Sequence, residues 1–198
     1  MPPDETDMAD LPPFNEHGLL PPGDYSLTLE ELADSHLVTG NPSSSWDESW
    51  RLQLVKNLAV LADELWTAGV TNIFVDGSFT EDKDHPNDID GYFECDLDEF
   101  ASGRLQRDLN LLNQFKVWTW DPATRRQYRG YPKKQLPMWL RYRVELYPHI
   151  INAPWQQPTG IKDQFGHDLE FPSAFRQSRA GIERGIIKIE RGGNHASN

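Results

Sequence analysis

The sequence predicts an α/β (α+β) fold, a mixed β-sheet flanked by helices. Three observations carry that prediction. Leu54, Leu58, Leu61 and Leu65 recur at helical spacing and form one buried stripe. Ile73-Phe74-Val75 follows as a short apolar strand. Tyr142-Arg143-Val144-Glu145-Leu146-Tyr147 alternates and is rich in strand-forming side chains.

The elements follow in chain order. Residues 1–18 are acidic and Pro-rich, which predicts a disordered tail. A single domain is expected over 19–190 and a flexible tail over 191–198. Leu19-Leu20-Pro21-Pro22-Gly23 reads as a turn or an extended docking segment. Thr28-Leu29-Glu30-Glu31 is a capping box opening a short helix to about Leu37. Ser45-Trp46-Asp47-Glu48 reads as a second box, opening a helix to about Ala68 with Gly69 past its end. Strands are expected over 71–75 and 88–95. A helix over 97–114 follows, with Gly103 as a possible break, then a strand over Lys116–Trp120. Residues 121–137 form a loop rich in Arg, Tyr and Pro, with room for a short helix. The strand over 142–149 comes next, then a Pro-rich irregular stretch over 150–162. Residues 171–179 read as a short helix and Gly181–Ile189 as a strand-like run.

Composition narrows the function classes. The 198 residues, 37% of them apolar, suffice for one core. No stretch is long and apolar enough to span a membrane, and no signal-peptide pattern opens the chain. The single Cys95 suits a reducing, cytoplasmic setting, and the scattered His85, His149 and His167 make no zinc pattern. Net charge is −12, unevenly placed: −11 over residues 1–50, −9 over 51–100 and +8 over 101–198. The acidic total disfavours nonspecific duplex DNA binding, while the basic half can face a triphosphate or RNA.

The segment Gly77 to Asp90 concentrates the chemistry. Gly77-Ser78 after an apolar strand offers backbone N–H groups and a hydroxyl, which suit a phosphate. In an extended segment Asp88 and Asp90 share a face, and two adjacent carboxylates repel unless a cation sits between them. A hard divalent ion such as Mg2+ (or Mn2+) is the natural occupant.

Strand, Gly-Ser, short spacer and Asp-x-Asp together resemble the signature of the polymerase-β-type nucleotidyltransferase superfamily over residues 70–94. The Leu-Pro-Pro-Gly opening, Gly-Ser-Phe, Val-Glu-Leu-Tyr-Pro and the Arg-Gly-Ile-Ile run look like a small bacterial and phage-associated branch of it. The resemblance implies a nucleotidyltransferase-type sheet with Asp88, Asp90 and Glu145 as catalytic metal ligands. Gly77, Ser78, Lys83, Arg176 and Arg179 would contact the phosphates of a nucleoside triphosphate. Glu145 is a departure, since many members carry Asp there; so is Gly91, where an apolar strand residue is usual. The implied activity moves a nucleoside monophosphate from the triphosphate, ATP among the candidates, to a hydroxyl of a protein or an RNA. Some small members belong to toxin–antitoxin or phage-defence pairs. The alternative is a catalytically silent interaction module on the same fold.

Overall fold

The computed structural model describes residues 11–40 and 45–193. Its elements are β1 (Asp24–Thr28), α1 (Leu29–Asp34), α2 (His36–Thr39), α3 (Glu48–Thr67), β2 (Ile73–Asp76), a 3-10 turn (Gly77–Thr80) and β3 (Ile89–Asp96). Then come α4 (Leu97–Ala101), α5 (Arg104–Leu112), a 3-10 turn (Pro122–Thr124), α6 (Pro137–Tyr142), β4 (Val144–Ile151), α7 (Phe171–Ala174) and β5 (Ile186–Glu190). The strands form one mixed sheet in the order β1-β5-β2-β3-β4, with β2 antiparallel to both neighbours and the two outer pairs parallel. Helices flank it, and the fold is α+β.

Side-chain alternation divides the sheet into two faces. Ile73, Val75, Phe93, Val144 and Ile187 join the main core beneath α3, whose Leu54, Leu58, Leu61 and Leu65 are fully buried. Each such side chain contributes about 1.5–3 kcal/mol by burial. The opposite face carries a smaller cluster of Tyr92, Phe175 and Ile186, with Phe74 and Phe171 packed against it. The four rings of this cluster stack, Phe74 on Tyr92 at 4.7 Å and Phe171 on Phe175 at 5.6 Å, and Tyr147 adds a fifth on Phe171 at 5.0 Å. The acidic residues of interest share this second face.

Local chemistry explains most boundaries. Thr28 and Glu31 close the expected capping box. The first helix stops at Ser35, whose extended backbone separates α1 from α2. The third helix is capped by Asp47, not by Ser45: the Asp47 carboxylate accepts from the Trp50 N–H at 3.0 Å. Gly69 follows its end with φ +91°. Gly103, with φ +68°, divides α4 from α5.

Further expectations need correction. Residues 11–18, placed in the tail, join the domain: Leu11 is buried and Phe14 meets His36 edge-on. Lys116–Trp120 makes no strand, because the Asn110 side chain takes over its hydrogen bonds, bridging Trp118 N–H at 3.1 Å and Trp118 C=O at 2.7 Å. Residues 171–179 form only the short α7, and the chain then turns back with Gln177 paired antiparallel to Glu183. The strand-like run from Gly181 begins as a strand only at Ile186. The outermost expected segments, residues 1–10 and 194–198, lie outside the described residues.

Candidate functional site

Strand register builds the site. Asp90 pairs with Asp76 across β2–β3 and with Glu145 across β3–β4. Directly opposed residues on neighbouring strands point to the same face, so Asp76, Asp90 and Glu145 form a row across three strands. Asp88 lies just ahead of β3 at the end of that row.

Each acid has a different environment. Asp76 is fully buried. Its Oδ1 accepts from Thr80 Oγ1 at 2.5 Å, and Arg184 Nη2 stands 2.7 Å from its Oδ2. Burial pushes the Asp76 carboxyl up to about 8, against the pull of Arg184. Arg184 also pairs with Glu81 at 2.8 Å and donates to Gly77 O at 3.4 Å. It thereby ties the segment before β5 to the Gly-Ser turn.

Asp88 is half-buried, and its Oδ2 accepts from Trp139 Nε1 at 2.6 Å. Burial raises its pKa, opposed by that hydrogen bond and by the charges of Lys83, Arg143 and Arg179. Glu145 is held from three sides. Tyr147 donates its hydroxyl to Oε2, Leu136 N–H reaches Oε1 at 3.3 Å, and Arg125 stands 3.6 Å from Oε1. Burial, then the Glu145 charge, raises the Tyr147 pKa and keeps that hydroxyl a donor.

Asp90 differs from the others. No hydrogen-bond donor among the described residues meets its carboxylate. Its pKa is held well above the usual range by burial, then by Asp88, Glu145 and Asp76 in that order, with Arg184 opposing. It is an acid surrounded by acids.

The spacer loop before Asp88 is fixed from α3. Arg51, wholly buried, donates to the carbonyls of Leu37 and Phe79 at 2.7 Å, Glu81 at 3.0 Å and Lys83 at 2.6 Å. Its guanidinium stacks on Trp46 at 3.7 Å. Trp50 Nε1 donates to Pro86 O at 2.6 Å, and Asp47 meets His85 at 2.9 Å. The loop joining Gly77-Ser78 to Asp88 is therefore clamped to the helix N-terminus.

The structure brings Asp88, Asp90 and Glu145 to one region beside Gly77 and Ser78. Ser78 is partly exposed, and no described residue bonds its hydroxyl. Lys83 and Arg179 are exposed and near enough to act on Asp88. Arg176 does not join them: it forms an ion pair with Asp24 at the edge of the sheet. The helix expected over 171–179 would have set Arg176 and Arg179 on one face, but α7 ends at Ala174. Among the described residues, no group of three or more His, Cys, Asp or Glu is arranged to hold a metal ion. Asp88 and Asp90 nonetheless have the chemistry for a hard cation: both offer carboxylate oxygens, and Asp90 has no hydrogen-bond or ion-pair partner among the described residues. Mg2+ needs only one or two carboxylates when phosphates supply the rest.

Sequence reading missed Asp76, Arg184 and Trp139. Asp76 was accessible in principle: pairing the two strands around the Gly-Ser turn puts it opposite Asp90. Arg184 and Trp139 reach the site through tertiary packing, and nothing in their local sequence marks them.

A family described as "Family of unknown function (DUF6932)" matches residues 12–190. No curated protein and no solved structure matches the chain.

Proposed function

The chain belongs to the DUF6932 family of unknown function, and from its site geometry we propose a metal-dependent nucleotidyltransferase. It would move a nucleoside monophosphate from a nucleoside triphosphate to a hydroxyl of a protein or an RNA. The observation that carries this reading is Asp90, a carboxylate with no donor among the described residues, set among three other acids beside a Gly-Ser turn.

Asp88 and Asp90 would hold the cation, which when bound neutralises the acids and polarises the triphosphate. The Ser78 hydroxyl would receive phosphate oxygens, while the Gly77 N–H already serves the Asp76 carboxylate. Lys83 and Arg179 would offset the remaining phosphate charge from the loop side. Trp139 would keep Asp88 oriented through its indole N–H. Glu145 would accept the acceptor hydroxyl's proton at Oε1, whose contacts are long, while Tyr147 holds Oε2. The acceptor oxygen would bond to the α-phosphorus as the bond to the β-phosphate oxygen breaks and pyrophosphate leaves.

A second reading, a catalytically silent interaction module, draws support from Glu145. Both its oxygens are engaged by the protein, and the acids do not converge as a ready three-ligand set. Calorimetric titration of ATP, GTP, CTP and UTP in Mg2+ separates the two. Micromolar binding of one nucleotide, lost in Asp88→Asn/Asp90→Asn, is the expected result. No binding of any nucleotide to the folded wild type would favour the silent module.

A further inference from the structure

Between Pro122 and Val144 the sequence has seven Arg or Lys and no acid, in a chain of net charge −12. The structure folds part of this segment into a narrow arm. Arg126 and Gln135 exchange backbone hydrogen bonds at 2.9 and 2.8 Å, and Tyr131 N–H turns back onto Tyr128 O at 2.9 Å. The root of the arm is tied to the acid row: Arg125 reaches Glu145 at 3.6 Å and donates to the Tyr147 hydroxyl at 3.1 Å. Near its tip, the Tyr131 hydroxyl donates to Asn87 Oδ1 at 3.1 Å, next to Asp88. The arm therefore lies along the acid row from Glu145 to Asp88.

Arg126, Arg129, Lys133 and Lys134 are exposed, and none of their side chains has an ion-pair or hydrogen-bond partner among the described residues. Four unpaired cations on one exposed arm make a local basic patch in an otherwise acidic chain, and such a patch attracts a polyanion. Tyr128 and Tyr131, both partly exposed, stand among these cations and pack edgewise on Trp139 at 5.3 and 5.0 Å. Cations that track a backbone, interleaved with aromatic rings that take unstacked bases, are the physical requirement for binding a single strand.

We propose that the arm docks a single-stranded nucleic acid and delivers its terminal hydroxyl to the acid row. This rests on the transferase reading and narrows its acceptor from a protein or RNA to a nucleic acid end. A duplex hides its bases from the tyrosines. An acidic protein would satisfy the cations but would not stack on the exposed parts of the rings.

The test is fluorescence anisotropy of a labelled 12-nucleotide oligouridylate, in EDTA and without nucleoside triphosphate, across a salt series. Oligothymidylate, a DNA duplex and a poly-Glu peptide run in parallel. The single strand should bind wild type at least tenfold tighter than it binds Arg126→Ser/Arg129→Ser/Lys133→Ser/Lys134→Ser. The slope of log affinity against log salt should flatten by about 3 in that variant, from ~0.7 per phosphate contact. Binding of either single strand supports the proposal, and the preferred one names the sugar. Equal affinity for wild type and variant, or a preference for poly-Glu or duplex, would overturn it. Titration of the wild type with nucleoside triphosphates in Mg2+ keeps the failures apart. Strand binding without any nucleotide binding sinks the transferase reading alone, and nucleotide binding without strand binding sinks the docking alone.

Discussion

A Cβ built on Gly77 would lie 2.7 Å from Asp90 Oδ2, and Gly77 holds φ +82°. Glycine is needed there twice over, for the left-handed backbone and for the approach of the acid. Gly77→Ala should cost about 1–3 kcal/mol in urea unfolding and should displace the Asp90 carboxylate. Mg2+ affinity should fall together with stability. A variant as stable as wild type, with unchanged Mg2+ affinity, would show that the turn relaxes without moving Asp90.

Asp76 predicts a pH slope. Its folded pKa, about 8, lies above the ordinary 3.8. The folded state therefore binds more protons than the unfolded state between those values, and stability falls as pH rises. The contribution is complete below the unfolded pKa and lost as pH passes through 8. Asp90, also raised, adds a slope of the same sign. Urea midpoints from pH 5 to 8.5 should decline in wild type and decline less in Asp76→Asn. An unchanged slope in the variant would mean that Asp76 is ionised throughout, with Arg184 outweighing burial.

Arg51 predicts a loop effect at a distance from the acids. Its guanidinium serves four carbonyls, three of them in residues 79–83. Burial lowers its pKa to about 9, with Asp82 and Asp84 opposing. Lysine has neither the fork nor the reach to replace these bonds. Arg51→Lys should cost more than about 2 kcal/mol, since buried carbonyls lose their donors. Hydrogen exchange should accelerate in residues 79–88 before it does in β2 or β3. Uniform acceleration would assign Arg51 to global stability rather than to the loop.

What the sequence made legible was what local spacing encodes. The leucine stripe of α3, the Thr28–Glu31 box and the break at Gly103 all rest on neighbours within a few residues. The sheet around Asp90 and Glu145 was also readable, because both strands alternate. Gly91 stood out as a glycine inside a strand, and a Cβ there would lie 2.3 Å from the Phe74 carbonyl oxygen. Non-local pairing was not legible. The first strand finds its partner only in β5 near the far end of the chain. Arg184 gains its meaning from Asp76 and Glu81, both more than a hundred residues earlier. Lys116–Trp120 has the composition of a strand, but the side chain of Asn110 took its hydrogen bonds first.

Asp90 gives the sharpest test, because its removal should separate stability from function. An acid that only braces the fold loses interactions when replaced, and the protein weakens. Asp90 has no donor among the described residues to lose, and it repels Asp88, Glu145 and Asp76. Asp90→Asn should therefore raise the melting temperature of the metal-free protein at pH 8.5 by a few degrees, at roughly 2–4 °C per kcal/mol for a domain of this size. Mg2+ should raise the melting temperature of wild type by mass action and leave the variant unmoved. The two shifts are opposite faces of one charge: what destabilises the metal-free fold is what attracts the ion. A variant that melts lower than wild type and keeps the Mg2+ shift would assign Asp90 to structure and move any cation to another site.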